Sequence, residues 1–163
     1  MEIDRGSFKD PTGQVLIFND HIERTCALKS QDFIRPFLQS SLSQSLVEAG
    51  HILEARYEAD LERVIQPKLL DWVYPFEWSF GMLKEAALLT LKIQKEALLN
   101  GYSLKDASAY NVVFCQLRPK HIDLYSFERF DGSFVWKGYD QFCREFLNPL
   151  VYESYFGLPF QAM

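Results

Sequence analysis

The sequence predicts an α+β fold, in which short strands and helices follow one another irregularly along 163 residues. Three observations support this prediction. Two extended stretches flank a turn within residues 13–28. A long segment with helical periodicity runs from Ser79 to Gly101. A second antiparallel pair of extended stretches follows it and turns at residues 117–119.

The first half of the chain contains the smaller elements. Residues 13–28 predict a hairpin, because Asn19 and Asp20 tolerate the left-handed backbone of a tight turn. Residues 30–49 predict one helix from the spacing of their apolar side chains, and Pro36 should bend it or confine it to its second half. Two short strands are expected next, in residues 51–58 and 63–74.

The second half contains the most clearly predicted element, a long helix. Ser79 is a suitable N-cap, and the pair Asn100-Gly101 is a suitable stop. Its buried face is predicted to carry Phe80, Leu83, Ala87, Leu91, Gln94 and Leu98. A short amphipathic helix is expected in residues 138–150, broken near Pro149.

Composition excludes several classes of partner. A net charge of -5, with basic residues spread along the chain, provides no basic stripe for nucleic acid. No apolar run approaches the roughly 20 residues that cross a bilayer, so no membrane partner is expected. Three widely spaced cysteines indicate buried free thiols in a reducing compartment, and the N-terminus lacks a signal peptide. We therefore expect a cytoplasmic protein.

Residues 104–128 contain the most informative pattern of polar side chains. Asn111 precedes the first strand of the second hairpin, and Asp123 ends its second strand. Because a hairpin brings the outer ends of its strands together, these side chains should face each other, with Asp106 within reach of both. The alternative is structural: Asp106 caps a turn and Asn111 supplies a left-handed conformation. All three histidines are expected to be surface or satisfied residues: His21, His51 and His121.

The pattern Asp106-x4-Asn111, followed by a hairpin and Asp123, resembles the catalytic region of protein kinases, in the style of aminoglycoside phosphotransferases. The resemblance implies a kinase-like fold that binds ATP and Mg2+. It implies that Asp106 is catalytic, near the attacking hydroxyl, and that Asn111 and Asp123 are metal ligands. Residues 1–75 would form a reduced N-lobe, and residues 76–163 a truncated helical C-lobe.

The same resemblance suggests cofactor-binding residues for the nucleotide. Lys29, at the end of "CALK", is similar to the strand lysine of kinases, and Glu48 would be its partner. Glu77 is a further candidate at the junction of the lobes, although pairing with a basic residue is the simpler reading. A glycine-rich phosphate loop has only a faint counterpart at Gly6 and Gly13.

A narrower resemblance covers residues 13–155. Its blocks are "YPFEWSFGMLKEAALLTLKIQ", "LKDASAYNVVF", "IDLYSFE" and "YDQFCREFLNPL". They resemble the N-terminal portion of bacterial SAM-dependent methyltransferases, some of them nodulation-related. The sequence has no glycine cluster after a strand, so SAM is not expected on this chain. A methyltransferase domain or subunit is instead the expected partner, and the chain is expected to be part of a longer protein.

These observations leave three functions open. The first is a nucleotide- and Mg2+-binding phosphotransferase-like module, with turnover retained or lost and an unspecified small-molecule or protein acceptor. The second is a non-catalytic scaffold or accessory domain of a methyltransferase. The third is an oligomerisation module in which the aromatic stretch "VYESYFGLPF" forms the interface.

Overall fold

The computed structural model describes residues 2–3, 15–25, 28–69 and 73–162, and it confirms an α+β protein. The chain divides into two compact units, Met1–Leu70 and Asp71–Met163. The predicted boundary at residue 75 lies near this division. The comparison of the units with kinase lobes remains a prediction.

The first unit contains a five-stranded antiparallel sheet. Its strands are β1 (Glu2–Ile3), β2 (Val15–Ile17), β3 (His21–Thr25), β4 (Arg56–Glu58) and β5 (Arg63–Pro67), in the spatial order β1-β2-β3-β5-β4. The hairpin of β2 and β3 was predicted, and the Phe18 N–H closes it on the His21 carbonyl at 2.9 Å. β5 ends at Pro67, because proline has no N–H to continue the ladder.

Two helices of the first unit replace the single predicted one: α1 (Leu28–Leu38) and α2 (Ser41–Glu48). The break arises at Ser40, whose extended backbone (ψ 152°) ends the helical path. Its hydroxyl accepts a hydrogen bond from the Ser43 N–H at 3.2 Å and so caps α2. Pro36 lies inside α1 and does not end it. The prediction of a continuous helix was therefore wrong.

The second unit is built on α3 (Phe80–Leu99), which confirms the predicted long helix and its cap. The Ser79 hydroxyl accepts from the Met82 N–H at 3.3 Å, and Gly101 takes the left-handed φ of 77°. The predicted buried face is only partly right. Leu91 and Leu98 are each 42% exposed. The helix instead buries Leu83, Ala86, Ala87, Leu89, Thr90, Ile93, Gln94 and Ala97. Apolar residues occur on most sides of α3 itself, so the periodicity alone did not show which side is buried.

Two pairs of strands follow α3, and they position the polar residues of interest. They are β6 (Tyr102–Leu104) with β9 (Phe127–Arg129), and β7 (Val112–Cys115) with β8 (Arg118–His121). The second pair is the predicted hairpin, but its turn is Gln116-Leu117, earlier than predicted. Both turn residues have positive φ, 52° and 66°, which is typical of a two-residue type I′ turn.

The last helical stretch is continuous: α4 (Tyr139–Phe142), a π-helix (Cys143–Leu147) and α5 (Asn148–Phe156). The predicted break near Pro149 was wrong. The Asn148 N–H reaches the Cys143 carbonyl, which widens the turn before the proline. Pro149 then occupies the first turn of α5, where a missing N–H is tolerated.

Two expectations from composition can be compared with the structure. Cys115 and Cys143 are free thiols, but both are half-buried rather than buried, and Cys26 lies outside the described residues. Of the helices in the described part of the chain, none combines the length and apolarity needed for a bilayer crossing.

Candidate functional site

The loop between β6 and β7 carries Asp106 in a defined turn. Its Oδ1 accepts a hydrogen bond from the Ser108 N–H at 2.9 Å, so the predicted alternative of a turn-capping aspartate is present. The same oxygen also accepts from the side-chain amide of Asn111 at 3.1 Å. Oδ2 of Asp106 has no hydrogen-bond partner among the described residues, so the carboxylate keeps one oxygen available.

Asp123 follows β8 and is also tightly held. Its Oδ1 accepts from the Tyr125 N–H at 3.1 Å, and its Oδ2 accepts from the Ser126 hydroxyl at 2.9 Å. The Ser126 oxygen in turn accepts from the Asn111 amide at 2.9 Å. These bonds satisfy the half-buried Asp123 carboxylate, as its sequence context required.

One hydrogen-bonded chain therefore joins Asp106, Asn111, Ser126 and Asp123, and we call it the acid network. The structure brings together the three residues that the hairpin argument predicted. Asn111 is not left-handed, so that part of the structural alternative was wrong. Ser126 is 1% exposed and was missed, because a serine after an aspartate carries no signal of its own.

The acid network fixes which way the Asn111 amide points. A carboxylate and a serine oxygen that accept hydrogen bonds must face the nitrogen, so the amide oxygen is turned to the other side. That Asn111 oxygen has no hydrogen-bond partner among the described residues. Amide and carboxylate oxygens are hard donors of the kind that suit Mg2+. In the described chain no three His, Cys, Asp or Glu side chains converge as a metal cage.

The last helical stretch holds the Asp106 loop in place. The Gln141 side chain accepts from the Ala107 N–H at 2.9 Å. The Glu145 carboxylate accepts from the Ala109 N–H at 2.8 Å and from the Ser108 hydroxyl at 3.0 Å. Gln141 and Glu145 are four residues apart and therefore lie on one helical face. The sequence contained this spacing, but nothing in it identified the loop as their partner.

Trp136 forms a hydrogen bond to Leu104, the residue directly before the loop. Its indole N–H donates to the Leu104 carbonyl at 2.6 Å. Gly138 packs against this contact, since a Cβ there would lie 2.9 Å from the Trp136 nitrogen and 3.0 Å from Cβ of Ala107. The loop that carries Asp106 is thus clamped by side chains that are about 30 residues distant in sequence.

His121 is the least expected member of this region. It is 1% exposed, and neither ring nitrogen has a hydrogen-bond partner among the described residues. Its ring meets Phe127 edge-on at 5.7 Å. Burial lowers the pKa of His121 to about 4, while the nearby carboxylates of Asp123 and Asp106 oppose that shift. The expectation of a surface or satisfied histidine was therefore wrong.

The remaining predicted residues are not part of the acid network as described. Lys29 belongs to the first turn of α1 rather than to a strand, and its side chain lies outside the described residues. Glu48 is exposed at the end of α2 in the first unit. Glu77 is exposed and accepts from the Tyr74 N–H at 2.8 Å, so it caps a turn. Both candidate glycines, Gly6 and Gly13, lie outside the described residues.

Comparison with known proteins shows that the chain is similar in sequence to a nodulation protein. No model of a known protein family matches it. The chain is 39% identical over 163 aligned residues to nodulation protein NoeA of Rhizobium meliloti (strain 1021). That similarity covers 94% of this chain and 34% of NoeA, so the chain spans about a third of the relative's length. A relationship to a bacterial nodulation protein, which the sequence resemblance implied, is confirmed.

Proposed function

We propose that the second unit is a nucleotide- and Mg2+-binding, phosphotransferase-like module with a kinase-like arrangement and ATP as its nucleotide. The observation that carries this proposal is the acid network, in which Asp106, Asn111 and Asp123 are joined through Ser126. Among the described residues, Asp106 bonds only within its own loop, to Ser108 and Asn111, and Asn111 carries the connection beyond the loop. The Asn111 amide nitrogen donates both to Asp106 and to Ser126, and Ser126 donates to Asp123, so the network extends past the hairpin.

The proposed roles follow from the oxygens that remain available. Asp106 uses Oδ1 for Ser108 and Asn111, which leaves Oδ2 to accept the proton of an acceptor hydroxyl. Asn111 Oδ1 and the Asp123 carboxylate would hold Mg2+. Bound there, Mg2+ would neutralise the charge that builds up on the phosphate oxygens. The hydrogen bonds of the Asn111 amide hold the proposed base, Asp106, in a fixed position relative to the proposed metal ligands.

Turnover would also require side chains that contact the nucleotide phosphates. Lys29, paired with Glu48, and Glu77 remain the proposed nucleotide contacts. Lys29 begins a helix, unlike the strand lysine of kinases, and Glu77 is already engaged with the Tyr74 N–H. These departures favour binding without efficient transfer. We therefore propose that the module binds a nucleotide, and phosphoryl transfer is tested as a separate activity.

Binding is tested by isothermal titration of the whole chain with ATP and Mg2+, using Asp123→Ala as the variant. Asp131→Ala is the matched control, because Asp131 is an exposed acid of the same unit that also accepts from a backbone N–H, that of Ser133 at 2.9 Å. We expect Asp123→Ala to abolish Mg2+-dependent binding and Asp131→Ala to retain it. Equal binding by both variants would refute the metal role of Asp123.

Turnover is tested separately with Asp106→Asn, which keeps the shape and removes the base. Hydrolysis or transfer of the ATP γ-phosphate should fall by about 100-fold or more, the usual contribution of a positioned base. Unchanged turnover in Asp106→Asn would show that Asp106 is not that base. If the wild-type chain binds ATP without turnover, the module is a pseudoenzyme.

A second candidate function is a non-catalytic scaffold or accessory domain for a methyltransferase. The favouring observation is that the matched region makes up only 34% of NoeA, which leaves room for a further domain in the relative. Exposed aromatic residues near the C-terminus also offer a docking or oligomerisation surface, with Tyr155 82% and Phe156 70% exposed. No heat release with any nucleotide would favour the scaffold. A monomer by light scattering at high concentration would eliminate the oligomerisation alternative.

A further inference from the structure

His121 is a buried polar group that the proposed chemistry has not yet used. Its ring is 1% exposed, and both nitrogens lack partners among the described residues. A buried polar group without a partner destabilises a fold, so such groups are uncommon unless they serve a ligand, a water or a function. An apolar side chain would fill the same space against Phe127 without that penalty.

The surroundings of His121 identify what it faces. The charges of Asp123 and Asp106 both act on its ring. No hydrogen bond joins either carboxylate to the ring, since both ring nitrogens are unpartnered in the described chain. A buried ring N–H that has no direct partner and lies near a carboxylate in the chain can reach it through a bridging water.

The backbone of His121 also lies next to that of the acid network. His121 is the last residue of β8 and lies opposite Val112, the first residue of β7. The next N–H, that of Ile122, donates to the Asn111 carbonyl at 2.8 Å. His121 is therefore anchored directly beside Asn111 and two residues before Asp123.

We propose that His121 is a positioning residue for the Asp123 carboxylate, to which it donates a ring N–H through one internal water. A neutral imidazole suits this role because it can donate a hydrogen bond without adding a positive charge that would compete with a cation. The carboxylate would be steered by three donors: the Tyr125 N–H, the Ser126 hydroxyl and the bridged imidazole. This inference rests on the proposed function for its purpose, but its geometry can be tested without any nucleotide.

The first test uses the free protein and the ring N–H resonance of His121 in 15N NMR. Asp123→Asn changes the acceptor at the far end of the bridge and should shift that resonance. Asp131→Asn is the matched control and should leave it in place. If Asp123→Asn leaves the His121 ring signal unmoved, the bridge does not exist, whatever the protein does with ATP.

The second test separates positioning from packing by two substitutions of His121. His121→Leu removes both unpartnered nitrogens, so its melting temperature should equal or exceed that of the wild type. Its affinity for Mg2+ with ATP should nevertheless fall about 10-fold or more, as is usual when a residue supporting a metal ligand is lost. His121→Gln, which restores a donor, should recover most of that affinity.

Thr90→Val is the packing control, because Thr90 is equally buried and donates only to its own helix, at the Ala86 carbonyl. It should leave the affinity unchanged. Full affinity in His121→Leu would overturn the positioning role while leaving the proposed function intact. A wild-type chain that binds no nucleotide would refute the proposed function, and the ring N–H shift would still decide the bridge.

Discussion

The side-chain amide of Asn111 donates to the carboxylate of Asp106 across 3.1 Å, five residues away along the chain. The same nitrogen donates to Ser126 across 2.9 Å, so one amide links a loop to the residues that follow the hairpin. Half-buried polar groups of this kind are costly to leave unpaired. The acid network is therefore expected to stabilise the second unit as well as to arrange its oxygens.

Replacing Asn111 by Asp tests the direction of these hydrogen bonds. Asn111→Asp keeps the shape but removes both donors and sets a second carboxylate against Asp106. At pH 7 we expect a loss of about 1–3 kcal/mol in the free energy of unfolding, from lost donors and like-charge repulsion. The loss should shrink as the pH falls, because one carboxylate of the pair then takes up a proton. Urea unfolding at pH 7 and pH 5 measures both effects.

Asn100→Asp is the control for this change, because Asn100 is exposed at the end of α3 and its side-chain amide donates only to the Glu96 carbonyl. It should reduce stability much less, with little dependence on pH between 5 and 7. Equal losses in the two variants would mean that the Asn111 amide is not held between Asp106 and Ser126 in solution.

Gly138→Ala tests the clamp on the Asp106 loop. The added Cβ would lie 2.9 Å from the Trp136 nitrogen and 3.0 Å from Cβ of Ala107, so one of these groups must move. We expect a destabilisation of about 1–3 kcal/mol, the usual range for overpacking. Movement of Trp136 should also change its fluorescence. Gly81→Ala is the control, since its Cβ would meet nothing closer than 3.8 Å, and it should be neutral or stabilising by up to about 1 kcal/mol. A Gly138→Ala protein as stable as Gly81→Ala would contradict the close packing.

The sequence predicted the proximity of Asn111 and Asp123 because that part of the candidate site depends on local geometry. Asn111 and Asp123 flank a hairpin, and the ends of a hairpin meet whatever else the protein does. Ser126 and Glu145 could not be predicted in the same way. Each becomes meaningful only through a partner brought close by tertiary packing, as Glu145 does by accepting from Ala109 N–H. His121 was missed because alternation along a strand does not reveal an unpartnered ring.

The errors in the fold have a similar cause. The sequence predicted a helix with Ser30 as its N-cap, whereas the structure uses Ser40 as the N-cap of α2. The orientation of α3 depends on its contacts with β6, β8 and the last helical stretch, which bury Gln94 and expose Leu91. Gln94 is buried because its side-chain oxygen accepts from the Leu104 N–H at 2.7 Å. The spacing of apolar residues along a helix does not predict the burial of a polar side chain such as Gln94.

The turn of the second hairpin offers a stabilising substitution. Leu117 has a φ of 66° and is 95% exposed, so its side chain contributes strain and almost no packing. Leu117→Gly should raise the free energy of unfolding by about 0.5–1 kcal/mol, because glycine adopts this φ without steric penalty. Leu117→Ala removes the same exposed side chain but keeps the Cβ, and it should give no such gain. Thermal unfolding of both variants separates the two effects, and equal stabilities would argue against a left-handed residue 117.

The final prediction concerns the pH response of the first unit, where His21 lies between two acids. Its Nδ1 is 2.8 Å from Asp20 and its Nε2 is 3.2 Å from Glu23, which also pairs with Arg63. Hydrogen bonds to Asp20 and then Glu23 raise the pKa of His21 above its usual 6.5. The stacked Phe18 ring, 4.5 Å away, also favours the cation.

Because the folded pKa is raised, the stabilisation by His21 is fully present below pH 6.5 and is lost as the pH rises through the folded pKa. Wild-type stability should therefore decline more steeply on the alkaline side than that of His21→Gln, which cannot be protonated. Asp20→Asn removes the largest cause of the shift and should give an intermediate slope. Melting temperatures from pH 5.5 to 8.5, with an NMR titration of the His21 ring, measure this directly. A folded-state pKa at or below 6.5, or identical slopes in wild type and His21→Gln, would contradict the ion pairing of His21.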